Sequence, residues 1–111
     1  MIIKIINGKW KVKFMDIWSD PGNQNSDGEP EYDGICSFDK QEIRIQNTLS
    51  DRRTRSVIIH ELVHACLRET SHNTGTLSEE EICEFFGMFG EDIMKNFKKI
   101  YENYVSKKKG D

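Results

Sequence analysis

The apolar residues of this chain change their spacing once, and the change divides it into two kinds of structure. Early on they alternate. Trp10, Val12 and Phe14 are interleaved with Lys9, Lys11 and Lys13, and Ile43 and Ile45 repeat the pattern. A period of two sets one face of a strand on a core and the other in water. Later they recur at steps of three and four: Ile82, Phe86, Phe89, Ile93, Phe97 and Ile100. That is the stripe of an amphipathic helix. Strands followed by helices predict an α+β fold, a small antiparallel sheet followed by two helices. With 111 residues, one domain spanning 1–111 is expected.

Local signals sharpen the outline. Residues 2–18 read as two strands joined at Asn7-Gly8, a strong hairpin dipeptide. Residues 19–32 are polar and hold two prolines and two glycines, the composition of a long surface loop that either contacts a substrate or serves as a mobile connector. Residues 34–47 read as a second hairpin turning near Asp39-Lys40. Ser50 can cap a helix running over about 50–70, with Asp51 at its positive end. Val57-Ile58-Ile59 make its middle apolar on all sides, so it should be buried. A loop is expected from His72 to Thr76. Ser78 and Glu81 fit a capping box for a last helix over about 79–106, and Lys107 to Lys109 suit its negative end.

Composition excludes several classes. Hydrophobic residues make up 36% and charged residues 32%, so the core is modest and a bound metal would add useful stability. A net charge of −3 gives no electrostatic reason to bind nucleic acid. The apolar runs are too short for a transmembrane helix. Met1 to Ile6 is too short an apolar start for a signal peptide, which makes the cytoplasm the expected compartment. Cys36, Cys66 and Cys83 are odd in number and widely spaced, so they read as reduced, partly buried thiols.

The chemistry concentrates in His60-Glu61-Leu62-Val63-His64. Residues four apart stand one above the other on a helix, so His60 and His64 can aim two imidazoles at one ion. Zinc accepts such nitrogens at roughly 2.0–2.1 Å. Glu61, turned part-way round the helix, would sit beside the ion. There a carboxylate can take a proton from a water the ion has acidified and return it to a leaving amine. Burying a helix with two His and a Glu is costly unless those groups find partners, and a metal would be one. A surface helix with two solvated histidines fits poorly beside so many apolar flanks.

A catalytic zinc usually takes a third protein ligand. His72 lies eight residues past His64, and Leu67 and Thr70 occupy the positions where a longer zinc motif needs Gly and His. The acidic run Glu79-Glu80-Glu81 suits a helix start without any metal, and Glu81 is taken by the capping box. Glu80, Cys83, Gly87 and Met94 share one side, with Gly90 nearby. Small residues there would let the first helix approach, which favours Glu80 as the ligand. Glu84, one turn on, could ligate instead or orient a ligand His; Glu79 and His72 trail.

The pattern H-E-L-x-H-A, followed by a helix reading E-x-x-C-E-x-F-G, resembles the zincin peptidases of the ImmA/IrrE type. It is most like the short HExxH proteins of phages and prophages. Tyr32-Asp33-Gly34, the hairpin after it and the Arg-rich helix start share the likeness, which covers roughly residues 32–95. The resemblance implies a minimal zincin-like fold and a Glu as third ligand, followed by a small residue three on and an amide or acid four on. These positions fall on Glu80, Cys83 and Glu84. Cys83 and Glu84 stand where Ala and Asn are common in the group, and residues 1–111 do not include the helix-turn-helix domain often fused to it.

The expected function is a zinc-dependent, gluzincin-like peptidase, with His60, His64 and Glu80 holding Zn2+ and Glu61 as general base. By analogy it would process a regulatory protein in a phage or prophage setting. Its partner would be a protein or peptide substrate, with neither nucleic acid nor membrane. Two other readings compete. In one, the chain is a non-enzymatic binding module whose metal site is structural. In the other, it is a metal-free helical adaptor in which the motif is accidental.

Overall fold

The structure, a computed structural model, describes residues 1–70 and 77–110. The loop expected from His72 to Thr76, His72 included, lies outside the described residues. The fold is α+β. Strands β1 (Ile2–Ile5), β2 (Gly8–Met15), β3 (Gly34–Ser37) and β4 (Glu42–Gln46) form one sheet, followed by helices α1 (Asp51–Glu69) and α2 (Glu79–Gly110).

The sheet order is β1-β2-β4-β3. Both expected hairpins are antiparallel, but β2 and β4 pair in parallel, Val12 opposite Ile43 and Phe14 opposite Ile45. The sheet is therefore mixed. Strand periodicity identifies strands without fixing how two hairpins join. The alternation itself holds. Trp10 and Val12 are buried while Lys9, Lys11 and Lys13 face water, where Lys13 pairs with Glu42 at 3.2 Å.

The first turn falls one residue earlier than Asn7-Gly8 suggests. Ile5 pairs with Gly8, so Ile6 and Asn7 are the loop, and Ile6 takes the positive φ of 54°. Gly8 serves close approach instead. A Cβ there would lie 2.2 Å from the Glu69 carboxylate, which accepts from Trp10 Nε1 at 2.9 Å.

Buried amides hold both ends of the polar segment after β2. Asn23, 1% exposed, donates to the carbonyls of Ile17 and Tyr32 and accepts from the Tyr32 amide. The buried Gln46 accepts from the Ile17 and Trp18 amides and donates to Asp16 and Thr48. Buried amides need such partners, and here they tie the loop to the sheet.

Both helix caps form as expected. Ser50 Oγ accepts from Arg53 N, and Ser78 and Glu81 make the reciprocal bonds of a capping box. The core joins Trp10, Val12, Ile43 and Ile45 of the sheet to Val57, Ile58, Leu62 and Ala65 of α1 and to Phe85, Ile93 and Ile100 of α2. Asn96 donates to the Lys4 carbonyl and pins α2 to β1. The α2 stripe departs from its expected course at the start: Ile82 and Phe86 are 44% and 47% exposed, and Phe85 is the buried residue. The side expected to receive α1 is also open. Glu80, Cys83, Gly87 and Met94 are exposed, and among the described residues a Cβ at Gly87 or Gly90 would meet nothing within 4 Å.

Candidate metal centre

α1 sets the site by its pitch. Val57, Ile58, Leu62 and Ala65 turn inward, which leaves His60 and His64 on the open side and Glu61 between the two environments. The imidazoles are exposed and Glu61 is 5% exposed. The desolvation cost expected for all three therefore falls mainly on Glu61.

His60 Nε2 and His64 Nε2 stand 3.1 Å apart, with ring centroids 4.8 Å apart. Two nitrogens held by one tetrahedral ion at roughly 2.0–2.1 Å stand roughly 3.3 Å apart, so the pair fits a shared metal. Without an ion, one ring can donate to the other only in the appropriate tautomer. Partial desolvation, and then the charge of His60, hold the His64 pKa below its ordinary value. That favours the neutral imidazole, the form that binds metal.

Glu61 Oε2 is 3.8 Å from His60 Nε2. Burial pushes the Glu61 carboxyl up to about 7, against the lowering pull of Arg53. A carboxyl near neutrality can both accept and return a proton. The neighbouring Cys36 thiol is pushed up to about 12 by burial and by the charge of Glu61, so it offers no thiolate nucleophile at neutral pH.

The three residues line a cleft of about 260 Å³ with Tyr32, Gly34, Ile35, Cys36 and Phe38. Edge strand β3 forms its far wall. The close fit depends on Gly34: a Cβ there would lie 2.6 Å from Val57 Cγ1 and 3.0 Å from Glu61 Cγ. Asp33 holds Gly34 in place. Its carboxylate accepts from Trp18 Nε1 at 3.0 Å and from Arg53 Nε at 2.9 Å, and its carbonyl accepts from the Gln46 backbone amide at 2.9 Å. The wall residues Ile35, Cys36 and Phe38 escaped the sequence reading, because ordinary strand residues carry no chemical signature. Gly34 had a usable signal, a glycine opening a strand where another chain segment must come close.

Among the described residues, no third-ligand candidate joins the histidines. Glu80 and Glu84 are exposed on the first turns of α2, and His72 lies outside the described residues. Among the described residues, no group of three or more His, Cys, Asp or Glu side chains is placed to hold a metal ion. The structure thus brings together His60, Glu61 and His64 and leaves Glu80 outside that group.

The family model Peptidase_M78, described as the IrrE N-terminal-like domain, matches residues 11–87. The match runs from β2 into the first turns of α2 and includes His60, Glu61, His64 and Glu80. No curated protein and no solved structure matches the chain.

Proposed function

The chain belongs to the IrrE N-terminal-like peptidase family, and from that premise we propose that it is a zinc-dependent peptidase with Glu61 as its general base. The observation that carries the reading is the 3.1 Å approach of the two Nε2 atoms beside a buried carboxyl. His60 and His64 would hold the ion. Glu80 as the third ligand rests on the spacing of the family resemblance alone, since its side chain is exposed.

When bound, zinc supplies Lewis acidity, which acidifies water and polarises a scissile carbonyl. Glu61 accepts the proton of the attacking water and delivers it to the departing amine. Ile35 and Phe38 give the cleft an apolar wall for side chains flanking the scissile bond. The substrate class is a protein or peptide, and the sequence resemblance points to a regulatory protein in a phage or prophage setting. Action in the cytoplasm belongs to the same proposal. Among the described residues, no helix is long and apolar enough to cross a membrane.

The test uses Glu61→Gln and chelator-free protein. About one zinc per chain is expected in both proteins by elemental analysis. Cleavage of a mixed peptide library should fall at least ~100-fold in the variant, the usual contribution of a general base. Equal cleavage by the variant would remove Glu61 from the mechanism, and metal-free protein would remove zinc.

A further inference from the structure

The face of the sheet turned away from the helices carries charge of mainly one sign. Ile3, Ile5, Trp10 and Val12 are buried in the core. Lys4, Lys9, Lys11 and Lys13 alternate with them and are exposed. Arg44 joins that face as the register partner of Lys13. Glu42 is the one acidic residue of the four strands. The chain as a whole carries −3, so this local excess of cations opposes the net charge.

An outward polar face is ordinary for a sheet, and lysine on an edge strand blunts unwanted pairing. Neither accounts for the arrangement. Lys9 and Lys11 stand on β2, an interior strand. The antiparallel register sets Lys4 directly opposite Lys9, and like charges so placed are destabilising. Where Lys13 and Arg44 stand opposite, the chain compensates. Glu42 lies 3.2 Å from Lys13 and 3.6 Å from Arg44, and Asp20 lies 3.4 Å from Arg44. Among the described residues, no carboxylate pairs in this way with Lys4, Lys9 or Lys11. A partner bringing acidic groups would offset that repulsion.

The face leads to the cleft. Ile35 lines the cleft and is the register partner of Arg44. In the next row, Ser37 of β3 stands opposite Glu42, and Glu42 opposite Lys11. Lys11 is thus two strand spacings from the strand that walls the cleft, roughly 10 Å. Lys9 and Lys11 repeat at roughly 6.6 Å, the spacing of alternate side chains in any extended chain. No outward position of the four strands holds an aromatic residue, so the face lacks the stacking platform of single-stranded nucleic-acid sites. Its continuity with a cleft for peptides favours a protein partner.

We propose that the open sheet face around Lys4, Lys9 and Lys11 is a docking surface for an extended acidic segment of a protein partner. Docking needs no reaction. That the segment belongs to the substrate, held beside the His60–Glu61–His64 cleft, rests on the peptidase reading.

Docking is measured on the full chain carrying Glu61→Gln, so that no peptide is cut. A fluorescent peptide alternating Glu and Ser is titrated at low salt and followed by anisotropy. Its counterpart alternating Lys and Ser, a short DNA duplex and anionic lipid vesicles are titrated beside it. Saturable binding is expected for the acidic peptide, tighter than for any of the others. Lys4→Glu, Lys9→Glu and Lys11→Glu together should weaken it at least tenfold. The same change of net charge on exposed residues of α2, Lys95→Glu, Lys98→Glu and Lys99→Glu together, should leave it within about twofold. Thermal unfolding reports that each variant is folded. If the sheet reversal does not fold, Lys4→Gln, Lys9→Gln and Lys11→Gln together replace it and should weaken binding several-fold. Absence of saturable binding overturns the proposal. So does equal or tighter binding of any other probe, or equal loss from the sheet and α2 variants. These outcomes leave the peptidase reading standing. Docking by a wild-type chain that cleaves no peptide would instead remove the peptidase reading and keep the docking surface.

Discussion

α1 and the first turns of α2 carry similar apolar density and meet opposite fates. Val57, Ile58 and Leu62 of α1 are each at most 2% exposed, whereas Ile82, Phe86 and Met88 of α2 are 44%, 47% and 68% exposed. α1 lies against β3, β4 and α2, so its inward face is covered along its length. The start of α2 presents the same kind of stripe to open space. Periodicity states which residues share a helix face; whether anything covers that face is decided by the placement of other elements.

The sharpest way to break this comparison is truncation on both helices. Leu62→Ala should destabilise by about 2–5 kcal/mol, the range for a buried leucine. Phe86→Ala should change stability by no more than about 0.5 kcal/mol, as at exposed sites. Denaturant titration of both measures the contrast, and a large loss at Phe86 would mean that the α2 stripe is covered in solution.

Glycine replacement gives the next largest contrast. Gly34→Ala puts a Cβ against Val57 and Glu61 and should destabilise by about 1–3 kcal/mol through overpacking. It should also lower any activity that depends on Glu61. Gly87→Ala meets nothing within 4 Å among the described residues and should stabilise by about 0.5–1 kcal/mol, the helix-interior advantage of alanine. Opposite signs in thermal unfolding are the expected result.

The caps offer a smaller contrast. Ser50→Ala should destabilise by about 1 kcal/mol, because α1 is packed along its length and its first turn anchors Arg53 to Asp33. Ser78→Ala should cost less global stability, because the start of α2 can fray without opening the core. Hydrogen exchange of the first-turn amides separates local fraying from global loss.

The smallest effect joins the two helices. The Tyr101 hydroxyl donates to Asp51, and that hydrogen bond, with a lesser contribution from burial, raises the Tyr101 pKa above its ordinary 10.0. The folded state thus favours the protonated phenol. This contribution is present below the ordinary value of 10.0 and is lost as pH rises through the folded-state value. In Tyr101→Phe that part of the alkaline loss of stability should be missing from denaturation midpoints followed above about pH 9.

Much of the fold was legible because the signals were local. Lys9 to Phe14 alternate, Ser50 and Ser78 cap, and both helices begin where expected. The resemblance read over roughly 32–95 points to the same family as the match over 11–87. At the candidate site, the spacing of four between His60 and His64 was enough to bring their rings together. The cleft wall was not legible, because Ile35, Cys36 and Phe38 enter through a strand brought beside α1 by long-range packing. The expected packing at Gly87 also failed, since small residues permit a close approach without causing one.

By itself, then, the sequence determined the elements, their caps and the pairing of two imidazoles on one helical turn, all of which follow from backbone periodicity over a few residues. Only the tertiary structure decided that β2 and β4 run parallel, that Glu61 is buried against Gly34 while its neighbours stay open, and that the first turns of α2 are uncovered. Those outcomes depend on which distant surfaces meet, and burial is a property of the meeting rather than of either segment alone.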